Sequence, residues 1–316
     1  MSDMENSNQT SMNRFLLLGL TNIPYLQALC VLMFLIIYII TLSANLLLIL
    51  VVKINPQLQT PMYFFLSNLS IIDFFFSSTI VPKIMAITLS QDKSISLMDC
   101  ATQMFFSLTL GTTECLILAV MAYDRYAAIN KPLHYTTIMN KGFCIGMAAG
   151  SWIISTINSA IHVYLTFQLP FCRSHQINHF FCEMPPLFRL SCRDTNLNEV
   201  AMYISAGIIA GIIAMCSFLL TLISYIHIIS TILKIRSSEG RQKSFSTCAS
   251  HLTVVSLFYG TILFMYMRPH SAYSDIDKTV SIFYSTVIPM LNPIIYSMRN
   301  KDVKGTLKKQ MTKQHF

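Results

Sequence analysis

Charged residues are scarce in this sequence of 316 residues, in which Asp, Glu, Lys and Arg together make up 11%. Soluble globular domains carry about 25%. With 53% hydrophobic residues and a mean hydropathy of +0.55, the composition excludes an ordinary soluble domain and predicts a membrane protein. Residues 1–25 also lack a basic start followed by an apolar core, so we expect no cleaved signal peptide.

Seven apolar runs are each long enough to cross a bilayer as a helix. They lie at 26–52, 61–89, 99–125, 143–166, 199–233, 247–267 and 279–298. We therefore predict an all-α membrane protein, a bundle of seven transmembrane helices. The predicted parts are a tail at 1–25, the bundle at 26–298 and a segment at 299–316, where apolar residues among lysines indicate a short amphipathic helix.

Basic residues are unevenly distributed between the two sides of these runs. If the N-terminus lies outside, most of the 22 Lys and Arg residues fall in cytoplasmic segments, and most of the 14 acidic residues fall outside. The positive-inside rule then favours an outside N-terminus and an inside C-terminus, in a multi-pass protein of the plasma membrane. The net charge of +8 follows from this asymmetry, so we expect a lipid bilayer and no nucleic acid as partner. In the outside tail, Asn8 begins an Asn-Gln-Thr glycosylation sequon.

The third run carries polar side chains on one helical face. Steps of four and three residues place six residues there: Ser107, Gly111, Glu114, Leu118, Met121 and Arg125. A carboxylate and a guanidinium are costly against lipid, so we expect this face to point into the bundle. This helix is therefore a candidate for carrying a signal across the membrane.

Positive charge is missing at the depth of the two buried acids. Asp73 lies about a third of the way along the second run, and no Lys or Arg lies at comparable depth in any other run. Two hypotheses follow. In one, Asp73 and Glu114 share a polar pocket that recruits a cation such as sodium. In the other, they are separate, protonated and hydrogen-bonded.

Four cysteines lie on the predicted outer side: Cys100, Cys172, Cys182 and Cys192. An oxidising compartment allows three pairings among them, and the residues alone do not choose. Three of the four fall in a long loop at 166–198, which has no obvious helix and which we interpret as a lid. His175, His179 and Glu183 beside Cys182 resemble a metal cluster, but the thiols have a competing disulfide role, so we predict no metal.

Two features belong to the predicted inner half. The connection at 234–243 is basic and serine-bearing, and we predict a solvated loop there. The seventh run contains Asn292, Pro293 and Tyr296. A proline frees a carbonyl inside a membrane helix and weakens the helix locally, which suits a hinge.

Six short motifs stand in order along the chain: PMYFFL at 61–66, MAYDRY at 121–126, KPLHY at 131–135, FSTCASHL at 245–252, FYG at 258–260 and PMLNP at 289–293. Together with Asp73 they resemble the rhodopsin-like class of G-protein-coupled receptors, and the finer pattern resembles the olfactory (odorant) receptors. The resemblance covers essentially the whole chain. The sequence departs from the family's usual Gly, His, Cys and Ala at Ala44, Gln59, Asn130 and Ser244, which bears on coupling or trafficking more than on ligand class.

The resemblance implies an odorant receptor rather than an enzyme. Its ligand would be a small, largely neutral volatile, and its partner a stimulatory olfactory G protein that raises cyclic AMP. The implied ligand-binding residues are Ser107, Leu108, Gly111, Thr112, Ile209, Ile213, Tyr259, Ile262, Leu263, Tyr266, Ile282 and Ser285. Aminergic relatives place an aspartate at the position of Ser107, so the serine argues for an uncharged ligand held largely by burial.

The resemblance also assigns residues of the signalling machinery. These are Asp124, Arg125, Tyr126, Tyr225, Asn292, Pro293 and Tyr296. Arg125 is expected to pair with Asp124 at rest and then to be released to meet the G protein. The implied disulfides are Cys100–Cys182 and Cys172–Cys192. No cofactor is expected beyond an allosteric sodium ion at Asp73 and Glu114.

Two alternatives remain open. A receptor of the same class for a small lipid or a peptide is the nearer one, because this fold hosts many ligands. A small-solute channel or transporter is more remote. The spans show no evident internal repeat, and charged residues that line a continuous path are lacking beyond Asp73 and Glu114.

Overall fold

The structure is a computed structural model that describes residues 14–21, 23–171, 175–188, 190, 197–235, 237–266 and 275–299. Side chains are described at these residues except at 185, 188, 197–210, 243, 246, 247, 265, 266, 275, 298 and 299. The predicted amphipathic helix after Arg299 and the sequon at Asn8 lie outside the described residues.

Seven helical segments correspond to the seven predicted spans, which confirms the all-α seven-span fold. Six of them are Pro24–Ile54, Pro61–Leu89, Leu97–Asn130, Lys141–Phe167, Leu197–Leu233 and Ser238–Tyr266, and the seventh comprises Asp275–Ile282, the π-helical turn Phe283–Val287 and Ile288–Arg299. All but the sixth are long and apolar enough to cross a membrane, and the sixth contains the shorter apolar stretch Cys248–Phe264. Many leucine and isoleucine side chains are exposed along these helices, as a hydrocarbon environment permits.

The sixth span starts earlier than its apolar run. Ser237 caps its first turn, since the hydroxyl accepts a hydrogen bond from the Gly240 amide at 3.2 Å, and Glu239 lies in that turn. A serine cap and an early acid both stabilise a helix N-terminus. The solvated loop predicted at 234–243 is therefore wrong from Ser238 onward, where the chain is helical.

A three-stranded sheet joins segments that the topology places outside. Strand β1 (Arg14–Leu17) is the middle strand, antiparallel to β2 (Ser94–Ser96) and parallel to β3 (Gln176–Ile177). Burial alternates along β1, so Phe15 and Leu17 are both 0% exposed. The sequence predicted only a polar tail at 1–25. Because Arg14–Leu17 forms a strand with buried side chains, part of that tail belongs to the folded protein.

The described residues group into two compact units. Those of the first unit fall within the ranges Met1–Ile36, Ser78–Thr109 and Ser155–Gly211, and those of the second within Ile37–Ser77, Leu110–Ile154 and Ile212–Phe316. Each of the first five spans contributes residues to both units. The division at 25 and 298 into tail, bundle and cytoplasmic segment stays a prediction.

The core of the first unit contains the disulfide between Cys100 and Cys182. Its buried apolar residues are Phe15, Leu17, Ile87, Ile95, Cys100, Met104, Ile177, Cys182, Leu187 and Leu190. Leu187 belongs to a short helix, Met184–Phe188, in the loop where we predicted none. A helix of this length is unstable alone in water, so burial of its apolar side chains has to stabilise it.

Candidate ligand-binding and signalling site

The polar face predicted on the third span is largely shielded from solvent. Glu114, Leu118 and Met121 are at most 4% exposed. Gly111 is half-buried, and the Arg125 side chain is 14% exposed. A continuous helix thus carries these residues on one protein-facing side, as the spacing predicted.

One side-chain amide bridges the two buried acids of the second unit. Asn292 Nδ2 lies 3.0 and 3.2 Å from the carboxyl oxygens of Asp73 and 3.4 Å from Glu114 Oε1. All three side chains are at most 4% exposed. Among the described residues, neither carboxyl has a Lys or Arg within 4.0 Å. The structure therefore brings together the two acids that the sequence related only through their depth.

Two buried side-chain amides, those of Asn45 and Asn292, also take part in the contacts of the seventh span. Asn45 Nδ2 donates to the backbone oxygens of Thr41 and Pro289 at 3.0 and 3.1 Å. The side-chain oxygens of Asn45 and Asn292 have no hydrogen-bond donor among the described residues. Buried oxygens of this kind are suited to an ordered water or a hard cation.

Asp124 anchors the inner end of the third span. Its Oδ2 accepts hydrogen bonds from Arg125, from Nε at 2.9 Å and from Nη2, and its Oδ1 accepts one from the Tyr135 hydroxyl at 2.7 Å. Burial, with the Asp124 carboxylate next, raises the pKa of Tyr135, so its hydroxyl stays a donor. Arg125 and Asp124 are thus paired, and the expected release of Arg125 to the G protein stays a prediction. Tyr135 was not assigned a role, although it closes the KPLHY motif.

A buried histidine links three spans of the second unit. His251 Nδ1 lies 2.6 Å from the Tyr225 hydroxyl, and Nε2 lies 3.2 Å from the Leu118 carbonyl oxygen. A carbonyl only accepts, so Nε2 carries the hydrogen and Nδ1 accepts from Tyr225. Tyr225 was predicted from the family resemblance, whereas His251 was not, and the only sign of it in the sequence is its place in the FSTCASHL motif.

The predicted ligand-binding residues divide between the two units. In the first unit, Ser107 and Leu108 are half-buried, and Ser107 Oγ donates to the Met104 carbonyl at 3.1 Å. In the second unit the half-buried residues are Gly111, Thr112, Ile213, Ile262, Leu263 and Ile282, and the buried ones are Tyr259 and Ser285. The side chains of Ile209 and Tyr266 lie outside the described residues.

The π-helical turn Phe283–Val287 contains Ser285, a predicted ligand-binding residue of the seventh span. Ser285 and Thr286 are both 0% exposed, and their hydroxyls point back to the Ile282 carbonyl at 3.5 and 2.5 Å. Single π-helical turns within α-helices are frequent at functional sites. The sequence predicted local weakness at Pro293, which lies inside the helix Ile288–Arg299, and it contained no sign of the π-helical turn.

The long loop of the first unit is fixed to the third span. Besides the Cys100–Cys182 disulfide, the Cys182 amide donates to Gln103 Oε1 at 2.9 Å. Within the loop itself, His179 Nε2 lies 3.7 Å from Glu183 Oε2. Among the described residues, no three His, Cys, Asp or Glu side chains form a group that could hold a metal ion. Cys172 and Cys192 lie outside the described residues.

An apolar crevice of about 300 Å³ also lies in the first unit. Its lining residues are Ala101, Thr102, Phe105, Ala160, Val163 and Tyr164. None of these is a predicted ligand-binding residue, so the crevice is a separate feature.

Comparison with known proteins gives matches along nearly the whole chain. A sequence model of a family described as olfactory receptor matches residues 34–314. Olfactory receptor 5B12 of Homo sapiens is 51% identical over 307 residues, which cover 97% of this chain and 96% of that protein. Olfactory receptor 5B21 of Homo sapiens is 50% identical over 311 residues, 98% of each chain. Olfactory receptor 5AP2 of Mus musculus is 50% identical over 309 residues, 97% of this chain and 96% of its own.

Proposed function

This chain belongs to the olfactory receptor family, and from that premise we propose that it detects a small neutral odorant and activates a stimulatory olfactory G protein. As a member of the family it is an odorant receptor, not an enzyme. It crosses the cell membrane several times and couples to a G protein. The chemical class of the ligand, the residues that bind it and the type of G protein are the proposed part.

The absence of charge at the predicted ligand-binding residues carries the proposal. None of the described ones bears a carboxylate, an ammonium or a guanidinium, and Ser107 stands where aminergic relatives have an aspartate. Burying a ligand ammonium without a counter-charge is costly. A neutral ligand instead gains about 25 cal/mol per Å² of apolar surface that it buries. The hydroxyl of Ser107 can accept a hydrogen bond from such a ligand.

The stimulatory coupling is proposed from the family resemblance and from the inner end of the third span. There, Arg125 is held by Asp124 through charge-assisted hydrogen bonds, and release of the guanidinium would free five donors for a partner. The expected second messenger is cyclic AMP.

A panel of odorants tests both parts of the proposal. Cells that display the receptor are exposed to neutral alcohols, esters and ketones and to matched amines, with sensors for each class of G protein. We expect neutral ligands to evoke cyclic AMP through the stimulatory class alone. Ser107→Asp should admit amines, whereas Ser107→Ala should change potency only slightly. A wild-type response to amines at sub-micromolar concentration, or through another class of G protein, would contradict the proposal.

We further propose that the acids of the second unit hold a sodium ion as an allosteric effector. Two carboxyls and the free oxygen of Asn292 are the hard ligands that such a cation prefers. We expect odorant potency to differ between sodium and choline buffers in the wild type. The difference should vanish in Asp73→Asn and Glu114→Gln. If both variants keep the full sodium dependence, the acids are protonated and hydrogen-bonded instead.

A further inference from the structure

The middle strand of the outer sheet comes from the N-terminal tail. Strands β2 and β3 belong to two different loops, and each of them pairs with β1 instead of with the other. On the side of β3, the Leu16 amide donates to the His175 carbonyl at 2.7 Å, and the Leu18 amide donates to the Ile177 carbonyl at 3.1 Å. Within the described part of the chain, the strand pairing of the long loop therefore depends on the tail.

The buried face of β1 packs over the outer part of the third span. Phe15 and Leu17 are 0% exposed and belong to the core of the first unit. Cys100, Met104 and Leu108 follow at steps of four residues and so lie on one helical face. The first two belong to the same core, and Leu108 packs against it. Because Leu108 lies deepest in the membrane of these three, the core covers this predicted ligand-binding residue from the outer side.

We propose that β1 is a strap that closes the outer side of the ligand site, and that β1 and β3 separate when an odorant enters or leaves. We call residues Arg14–Leu17 the tail strap. The inference rests on the proposed function, in which Leu108 binds the ligand. An odorant that approaches Leu108 along the third span from the outer solution has to pass the core under the strap, so this core has to open on one side.

The side that opens is the one towards β3. The strap pairs with β2 over three residues and with β3 over two, and the parallel pairing with β3 is slightly weaker per residue than the antiparallel pairing with β2. Strand β2 lies in the short connection at 90–96 between two spans, whereas β3 lies in the long loop at 166–198. Separation also breaks the edge-on contact between Phe15 and Phe171, whose ring centroids are 5.2 Å apart, so the open form is a minor population.

Two engineered disulfides test the strap against each other. Leu16 and Gln176 are paired residues of β1 and β3, and both are exposed. Neighbouring strands lie about 4.7–4.9 Å apart, within the range of about 4.4–6.8 Å between Cα atoms that a disulfide bridges. Leu16→Cys combined with Gln176→Cys therefore ties the strap to β3. The matched control combines Leu16→Cys with Ser94→Cys, which ties the strap to β2 and leaves β3 free.

The onset and decay of the response after odorant addition and wash-out report how fast the ligand enters and leaves. We expect the bridge between positions 16 and 176 to slow both several-fold, because a closed lid obstructs entry and exit alike. The bridge between 16 and 94 should leave both rates unchanged. A mild reductant should restore the wild-type rates, since the engineered bridge is exposed whereas Cys100 and Cys182 are 0% exposed. Equal rates in the two bridged receptors overturn the strap and indicate entry from the bilayer.

A single substitution tests the opposite direction. Leu16→Pro removes the amide that donates to the His175 carbonyl. We expect it to speed onset and decay by roughly fivefold, the factor for one lost hydrogen bond. Rates equal to those of the wild type at normal surface expression contradict the strap.

Hydrogen exchange without odorant gives an independent readout. The Leu17 amide donates to the Lys93 carbonyl at 2.9 Å, on the side of β2. If the strap parts from β3 first, the Leu16 and Leu18 amides exchange several-fold faster than the Leu17 amide. Equal or slower exchange of these two amides overturns the strap. If no neutral odorant evokes cyclic AMP while they still exchange faster, the ligand class or the coupling is wrong and the strap stands.

Discussion

Replacing Tyr135 by phenylalanine removes the hydroxyl that donates to Asp124 Oδ1 at 2.7 Å. Asp124 is 0% exposed, so this oxygen gains no water in exchange. Hydrogen bonds to charged groups contribute about 1.5–3 kcal/mol. Because Tyr135 is only half-buried, the lower value of about 1.5 kcal/mol applies. The resemblance assigns the Asp124–Arg125 pair to the resting state, so losing this bond should raise the signalling population roughly tenfold.

The measurement is cyclic AMP without odorant, divided by the number of receptors at the cell surface. Tyr123→Phe is the matched control, because Tyr123 is 39% exposed and its ring contacts Tyr126 and Phe143, while its hydroxyl has no hydrogen bond recorded to a described residue. We expect the control to keep the wild-type basal level. Equal basal signalling from Tyr135→Phe and Tyr123→Phe would refute the view that Tyr135 stabilises the resting pair.

Three further predictions concern other parts of the molecule. Phe15→Ala empties a site that is 0% exposed and should cost about 3–5 kcal/mol, seen as a lower unfolding temperature in detergent. Leu16→Ala, on the exposed face of β1, should change it little. His251→Phe breaks two hydrogen bonds and should raise basal cyclic AMP several-fold, so an unchanged level would exclude a resting role. Hydrogen bonds from the Ser94 side chain and backbone lower the pKa of Asp92. Because the pKa of Asp92 is lower in the folded than in the unfolded protein, its carboxylate stabilises the fold at pH values above the ordinary aspartate pKa. This stabilisation is lost as the pH falls through the folded-state pKa. Asp92→Asn should therefore abolish a small drop in unfolding temperature below about pH 4.

The spans could be predicted because bilayer thickness dictates their length and lipid dictates their composition. Their ends could not be predicted in the same way. The third run stops at 125, yet the helix continues to Asn130, and the sixth helix begins at Ser238 before its run at 247. A polar sequence beyond the membrane is compatible with either helix or loop. Local hydrogen bonds such as the Ser237 cap then decide.

Strand β1 was missed because four residues are too few to establish an alternating pattern. Its partners are residues far along the chain, with Phe15 opposite Ile95 and Leu17 opposite Ile177. The pairing therefore depends on how two loops fold. A sequence read locally carries no information about that register.

Part of the candidate site could be predicted from the free-energy cost of placing a charged group inside the membrane. A carboxyl at membrane depth requires a polar partner, so the depth of Asp73 and Glu114 in their spans was enough to single them out. Tyr135 and His251 could not be found in this way, because a tyrosine or a histidine near a span is unremarkable until the rotation of the helices shows what it contacts. Their roles depend on distances between spans, which no spacing along one helix can supply.

Two hydrogen bonds of the sixth span reach backbone carbonyls of the third span. The Tyr259 hydroxyl meets the Cys115 carbonyl, and His251 Nε2 meets the Leu118 carbonyl. On one face of a helix, peptide carbonyls recur about once per turn of 5.4 Å, so a shift of the sixth span by about one turn can exchange one acceptor for the next. These contacts alone do not determine a single arrangement. The bonds between side chains do, Cys115 to Ser217 and Tyr225 to His251, because each acceptor exists at one position only. These two side-chain bonds therefore specify the register between their spans more strictly than the bonds to backbone carbonyls do.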